Sequence, residues 1–188
     1  MEQFLQQLIN GISLGSIYAL MALGYTMVYG IIKLINFAHG DVYMLGAYIG
    51  YFCMTFLKLG FFPSLLISMI VCAILGVTIE KIAYKPLRDA TRISVLITAI
   101  GVSLFLEYGT MFFVKPDPRS YPPLTGFLAE SYSIGNLVIR AKQILIICIT
   151  VILMVLLQFV VKKTRIGKAM RAVSLDRDAA QLMGISVD

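Results

Sequence analysis

The stretch GISLGSIYALMALGYTMVYGII, residues 11–32, runs from Gly11 to Ile32 without a charged side chain and decides the fold class. Wound as an α-helix at 1.5 Å per residue it is about 33 Å long, enough to cross a hydrocarbon core of ~30 Å. Working outward, four more mostly apolar runs have the length of a membrane span: residues 36–57, 62–83, 93–114 and 143–161. None alternates polar and apolar at every second position, which argues against a membrane β-barrel. The reading is an all-α polytopic transmembrane bundle of about five spans, a single domain over residues 1–188.

Composition leads to the same place. Hydrophobic residues are 59% of the chain and charged ones 14%, with a mean hydropathy of +0.87. Soluble domains carry about 25% charged residues, so this chain has too few to coat a water-facing surface. The 16 Lys and Arg outnumber the 10 Asp and Glu, yet they gather in loops between apolar runs, as topology determinants do. A nucleic-acid partner is therefore not expected. Cys53, Cys72 and Cys148 all fall inside apolar runs without paired spacing, so they read as small span residues. The first ten residues lack the basic start of a signal peptide.

The loops after spans one, three and five hold Lys33, then Lys81, Lys85, Arg88 and Arg92, then the basic run that includes Lys162, Lys163 and Arg165. The opposite side holds fewer: Lys58, Lys115, Arg119, Arg140 and Lys142. Basic residues favour the cytoplasm, so the N-terminus is expected outside and residues 162–188 inside. The outer loop, residues 115–142, carries Pro116, Pro118, Pro122 and Pro123, which exclude a continuous helix. It is expected to be a folded extracytoplasmic segment, either a partner contact or a plain connector.

Three places stand out for function. Gly11 and Gly15 in span one, and Gly46 and Gly50 in span two, have the four-residue spacing that lets helix backbones approach closely in lipid. Asn36, His39 and Asp41 crowd the start of span two. Ionisable groups in a bilayer usually face the bundle interior or a water-filled path, and Gly40 could bend the helix there. The alternative is an interfacial helix start, with Asn36 as N-cap and Asp41 in the first turn. One histidine beside one acid does not make a metal site, and the sequence holds none of the common hydrolase or phosphate-binding signatures. Glu107, in span four, is the isolated acid most open to a functional role. No cofactor is expected. Thirdly, Arg165, Lys168 and Arg171 form a basic strip after span five. Leu175, Ala179 and Leu182 then have the spacing of one face of a short amphipathic helix ending at Gly184. Ala179 and Ala180 would give that helix a flat, approachable surface for a groove on a soluble partner.

The pattern Asp178, Ala179, Ala180, three variable residues and Gly184 resembles the cytoplasmic loop of bacterial ABC import permeases, with aspartate where glutamate is usual. Residues 11–48, the EKIAYKPLR block at 80–88 and the TRIGKAMRA block at 164–172 resemble LivH-type branched-chain amino-acid permeases. The outer proline-rich loop is the least similar part. The resemblance implies the permease subunit of an ATP-driven importer for leucine, isoleucine and valine in a bacterial or archaeal inner membrane. It implies no enzyme activity on this chain. Partners would be cytoplasmic ATPase subunits, a second permease subunit and an extracytoplasmic substrate-binding protein. Asp178, Ala179, Ala180 and Gly184 would couple to the ATPase, supported by Arg165 and Arg171, while Asn36, His39 and Asp41 are candidates for the translocation path. Members of the family continue with further membrane helices, so the chain reads as an N-terminal portion. Urea, amides or other amino acids are alternative cargo, and a self-contained channel or secondary transporter is an alternative class.

Overall fold

A computed structural model describes residues 2–32, 35–87, 90–123, 126–134 and 137–185. The chain folds as two compact units, residues 34–124 and residues 1–33 with 125–188. Lys33 and Arg88, two of the charges used to orient the spans, lie outside the described residues.

Residues 34–124 hold α2 (His39–Thr55), α3 (Phe61–Ile79) and α4 (Arg92–Val114). α3 does not stop at Ile79. It continues through a π-helical turn, Glu80–Tyr84, and a 3-10 turn, Lys85–Leu87. Pro86 has no N–H for the carbonyl four residues back, so the regular ladder cannot run on, and the Lys85 N–H reaches five back to Glu80 O. Thr91 starts α4 by accepting from the Ser94 N–H. The other unit holds α1 (Glu2–Ile32), a hairpin of β1 (Ser131–Ile134) and β2 (Leu137–Arg140), α5 (Ala141–Lys163), α6 (Arg165–Leu175) and α7 (Arg177–Leu182). The strands are antiparallel, with Ser131 opposite Arg140.

Among the described residues, four helices are long and apolar enough to cross a membrane: α1, α3 with its continuation to Leu87, α4 and α5. α2 is the exception. The sequence suggests a span over 36–57, but the helix runs only from His39 to Thr55. Its 17 residues make about 25 Å, at the lower limit for crossing.

The packing is that of a membrane protein. Large apolar side chains point outward, among them Phe105, Phe112 and Phe113 on α4, while the buried set is mostly small or hydroxylic, with Ser13, Ala38, Ser64, Ser68, Ala99, Thr110 and Thr150 beside the larger Val95, Leu106 and Leu128. In lipid there is no gain from hiding leucine, and small residues let helices close up. Each buried hydroxyl needs an acceptor, and several use the carbonyl one turn back. Ser64 donates to Gly60 O, Ser68 to Ser64 O, Thr110 to Leu106 O and Thr150 to Ile146 O.

Gly46 and Gly50 act as their spacing suggests. A Cβ on Gly46 would stand 2.9 Å from Cys72 Sγ, and one on Gly50 would stand 3.2 Å from Ser68 Oγ. α2 and α3 therefore touch along this small-residue face. Gly11 and Gly15 do not behave so, since among the described residues nothing lies within 4 Å of a Cβ at either position. α1 meets α5 instead beside Ser13 and Ser16, where Thr150 Oγ1 lies 3.5 Å from Ser16 O.

Residues 115–142 divide between the two units. The first half straps α2: Tyr121 Oη donates to Ala47 O, its ring meets Tyr51 edge-on, and the Arg119 guanidinium lies over Tyr51 and Phe52. Burial pushes the Tyr121 phenol above its usual range. The second half is tied to α1, where Gln6 both donates to Val138 O and accepts from the Val138 N–H, each at 2.9 Å. Gln6 thus serves the edge of β2 as another strand would.

Candidate functional site

Two constellations carry the candidate residues, one in each unit. The first surrounds the start of α2. Residues 35–38 carry the chain into His39, and Ala38, fully buried, stands at the N-cap without a capping side chain. Asn36 is therefore not the cap that its position suggests. Its Oδ1 instead accepts from Tyr84 Oη at 2.8 Å. The π turn that carries Tyr84 is the local departure that aims the phenol, as such turns often do at functional sites.

Asp41, in the first turn of α2, accepts from Ser103 Oγ at 2.5 Å. Ser103 lies about 16 Å along α4 from Arg92, close to the middle of a membrane-crossing helix. Cys72, in α3, contacts Val42 O at 3.6 Å, one residue further along α2. The first turn of α2 is thus level with the middle of α4 and not with its end. His39 is half-buried at the head of the helix, and its N–H donates to Asn36 O at 3.3 Å. Gly40 does not break α2; the interruption precedes it. Glu107 is exposed on α4 and has no part in the cluster. Among the described residues no group of three His, Cys, Asp or Glu side chains could hold a metal ion.

The second constellation follows α5. Thr164 ends α5 and caps α6, its Oγ1 accepting from the Gly167 N–H at 3.1 Å. α6 is amphipathic, with Gly167 buried, Ala169, Met170, Ala172 and Val173 half-buried, and Arg165 and Lys168 exposed. The chain then turns sharply at Asp176. Its backbone is extended, with φ −147 and ψ 113, and its Oδ1 accepts from the N–H groups of Asp178 and Ala179. A single helix carrying Leu175, Ala179 and Leu182 on one face is therefore corrected. Leu175 belongs to α6 and the other two to α7, because the Asp176 carboxylate captures the amides that would have continued the ladder.

The end of α7 is equally definite. Gly184 has φ +79, its N–H donates to Gln181 O, and the Ile185 N–H donates to Ala180 O. This is the Schellman arrangement that a glycine permits. Between the two stops Ala179 is exposed and Ala180 is buried, so only the first presents an approachable surface. Arg171 turns back on its own chain: Nε reaches Gly167 O and Nη2 reaches Lys162 O, both at 3.4 Å. Sequence reasoning missed Thr164, Gly167 and Asp176, although Thr164 and Asp176 each stand at the foot of a helix where a capping signal could have found them. It also missed Ser103 as a partner, for which local sequence holds no signal.

Comparison with known proteins gives the family. The profile of the family described as "Branched-chain amino acid transport system / permease component" matches residues 7–188. The chain belongs to this family. It is 42% identical, over 97% of its length, to the high-affinity branched-chain amino acid transport system permease protein BraD of Pseudomonas aeruginosa. It is 38% identical over 98% to LivH of Salmonella typhimurium, whose full name is otherwise the same. A probable branched-chain amino acid transport permease protein LivH of Methanocaldococcus jannaschii is 30% identical over 92%. The chain spans 63% of the length of the first two and 56% of the third. No solved structure matches it. Family membership and the apolar helices together make it a multi-pass membrane protein.

Proposed function

We propose that this chain is part of the permease subunit of an ATP-driven importer that carries leucine, isoleucine and valine into the cytoplasm. The single observation that supports this most is the match of the permease family along residues 7–188, with relatives whose names specify branched-chain amino acid transport. Residues 1–188 would form one transmembrane permease domain in a bacterial or archaeal inner membrane, with the N-terminus outside. Its partners would be cytoplasmic ATPase subunits, a second permease subunit and an extracytoplasmic substrate-binding protein. The chain would perform no covalent chemistry, and nucleotide would be hydrolysed on the partner.

Asn36, His39 and Asp41 would line or gate the translocation path. What supports this is the polar start of α2, bonded to Ser103 at the level of mid-α4, where a bilayer tolerates polar groups beside a pathway or another protein surface. Asp178, Ala179 and Gly184 would form the contact with the ATPase, with Ala180 buried behind them, supported from α6 by Arg165 and Arg171. The fixed start and stop of α7 support this, since a short helix with both ends capped presents a defined surface to a groove. For ATP to drive import, its binding must favour one arrangement of the pathway over the other, and such a contact is where that preference would enter.

The experiment is affinity purification of the tagged full-length permease from detergent extract, with mass spectrometry of what accompanies it. Recovery of an ATPase and a second permease is expected. Recovery of the permease alone, under conditions that preserve other transporter assemblies, would sink this reading in favour of a self-contained transporter.

A further inference from the structure

We propose that Thr164, Gly167 and Arg171 lock α5 and α6 into a rigid elbow, so that force arriving at α7 is delivered to α5 rather than lost in bending. This rests on the importer reading for its use, but the elbow itself is read from geometry. Helix corners are usually soft because the last carbonyls of one helix and the first amides of the next are left to water. Here they are tied to one another. Thr164 Oγ1 donates to Val160 O at 2.6 Å and accepts from the Gly167 N–H at 3.1 Å, so one hydroxyl closes α5 and opens α6. Arg171 spans the same corner from the other side, with Gly167 O in α6 and Lys162 O in α5 as its two acceptors.

Gly167 shows how tightly the corner is drawn. A Cβ there would lie 2.3 Å from the carbonyl oxygens of both Val160 and Val161. These are backbone atoms and cannot swing aside as a side chain would. Any larger residue must open the angle between the helices. The elbow is also braced, since α6 packs against α1 as well as α5. Beyond it, Asp176 sets the next turn and α7 follows within two residues of α6. Arg171 is thus a positioning residue whose guanidinium is occupied by its own chain, a role distinct from touching a partner.

The test uses the full-length permease in a cysteine-free background, with spin labels at positions 156 and 181, in nanodiscs. The variants are T164V, T164S and G167A. The wild type is expected to give one narrow distance distribution, T164S to match it, and T164V and G167A to widen it at least two-fold. In the assembled transporter, substrate moved per ATP hydrolysed should fall at least ten-fold in T164V and G167A and remain in T164S. A T164V distribution as narrow as the wild type would overturn the elbow, and a widened one with undiminished transport per ATP would overturn its role. If the wild type recovers no ATPase, the importer reading fails, while the distance widths still decide whether the elbow exists.

Discussion

The Asp41 carboxylate and the Ser103 hydroxyl, 62 residues apart in sequence, form a hydrogen bond that fixes the first turn of α2 against the middle of α4. A carboxyl group at that depth is costly unless a donor meets it. Ser103→Ala removes the donor and is expected to destabilise the protein by about 1–3 kcal/mol. Ser103→Thr, which keeps the hydroxyl, should lose much less. Unfolding midpoints in detergent compare the two, and equal midpoints for S103A and the wild type would show that the bond contributes nothing.

The approach of Gly46 to Cys72 makes a second prediction. Gly46→Ala puts a methyl group 2.9 Å from the sulfur, and overpacking of this kind costs about 1–3 kcal/mol. Cys72→Ala in the same chain takes the sulfur away and should restore most of the loss. A double-mutant cycle measures the coupling; strict additivity would mean that the two helices simply move apart.

At the far end of the chain, Asp176→Ala removes the cap of α7 and should cost about 1 kcal/mol of local stability. Gly184→Val must place a β-branched residue at φ +79, at a cost of about 1–2 kcal/mol. Faster amide exchange across 178–183 is expected for both, with α1 unaffected. If α7 serves as the ATPase contact, both variants also lose uptake while remaining inserted. Gly184→Asn, which tolerates the left-handed conformation, should retain it.

Gln6 offers a test far from either constellation. Gln6→Ala strips the edge of β2 of both bonds to Val138, and the hairpin should then be cut faster by trypsin after Arg140. An unchanged rate would mean that the strand pairing alone protects it.

The apolar runs made the long helices legible because length and the absence of charge are properties of a segment by itself. The same holds for the small-residue face of α2, where Gly46 and Gly50 announce a close neighbour. They do not announce which neighbour, and Gly11 and Gly15 show the same pattern with nothing among the described residues against it. What stayed hidden was contingent on tertiary placement. The aim of Tyr84 from a π turn at Asn36 and the Asp41–Ser103 bond depend on residues tens of positions apart. The break at Asp176 was hidden for another reason: helical spacing continued across it, and the capping carboxylate overrode the period. Recognition of the permease blocks pointed to the segment after α5, but not to the hydrogen bonds by which Thr164 and Arg171 tie α5 to α6.

The most direct measurement is uptake of labelled leucine into proteoliposomes that carry the full-length permease with its co-purified partners and external binding protein, loaded with ATP or with ADP. ATP-dependent accumulation that isoleucine and valine compete and urea does not is the predicted result. Uptake that is the same with ADP inside would contradict an ATP-driven importer.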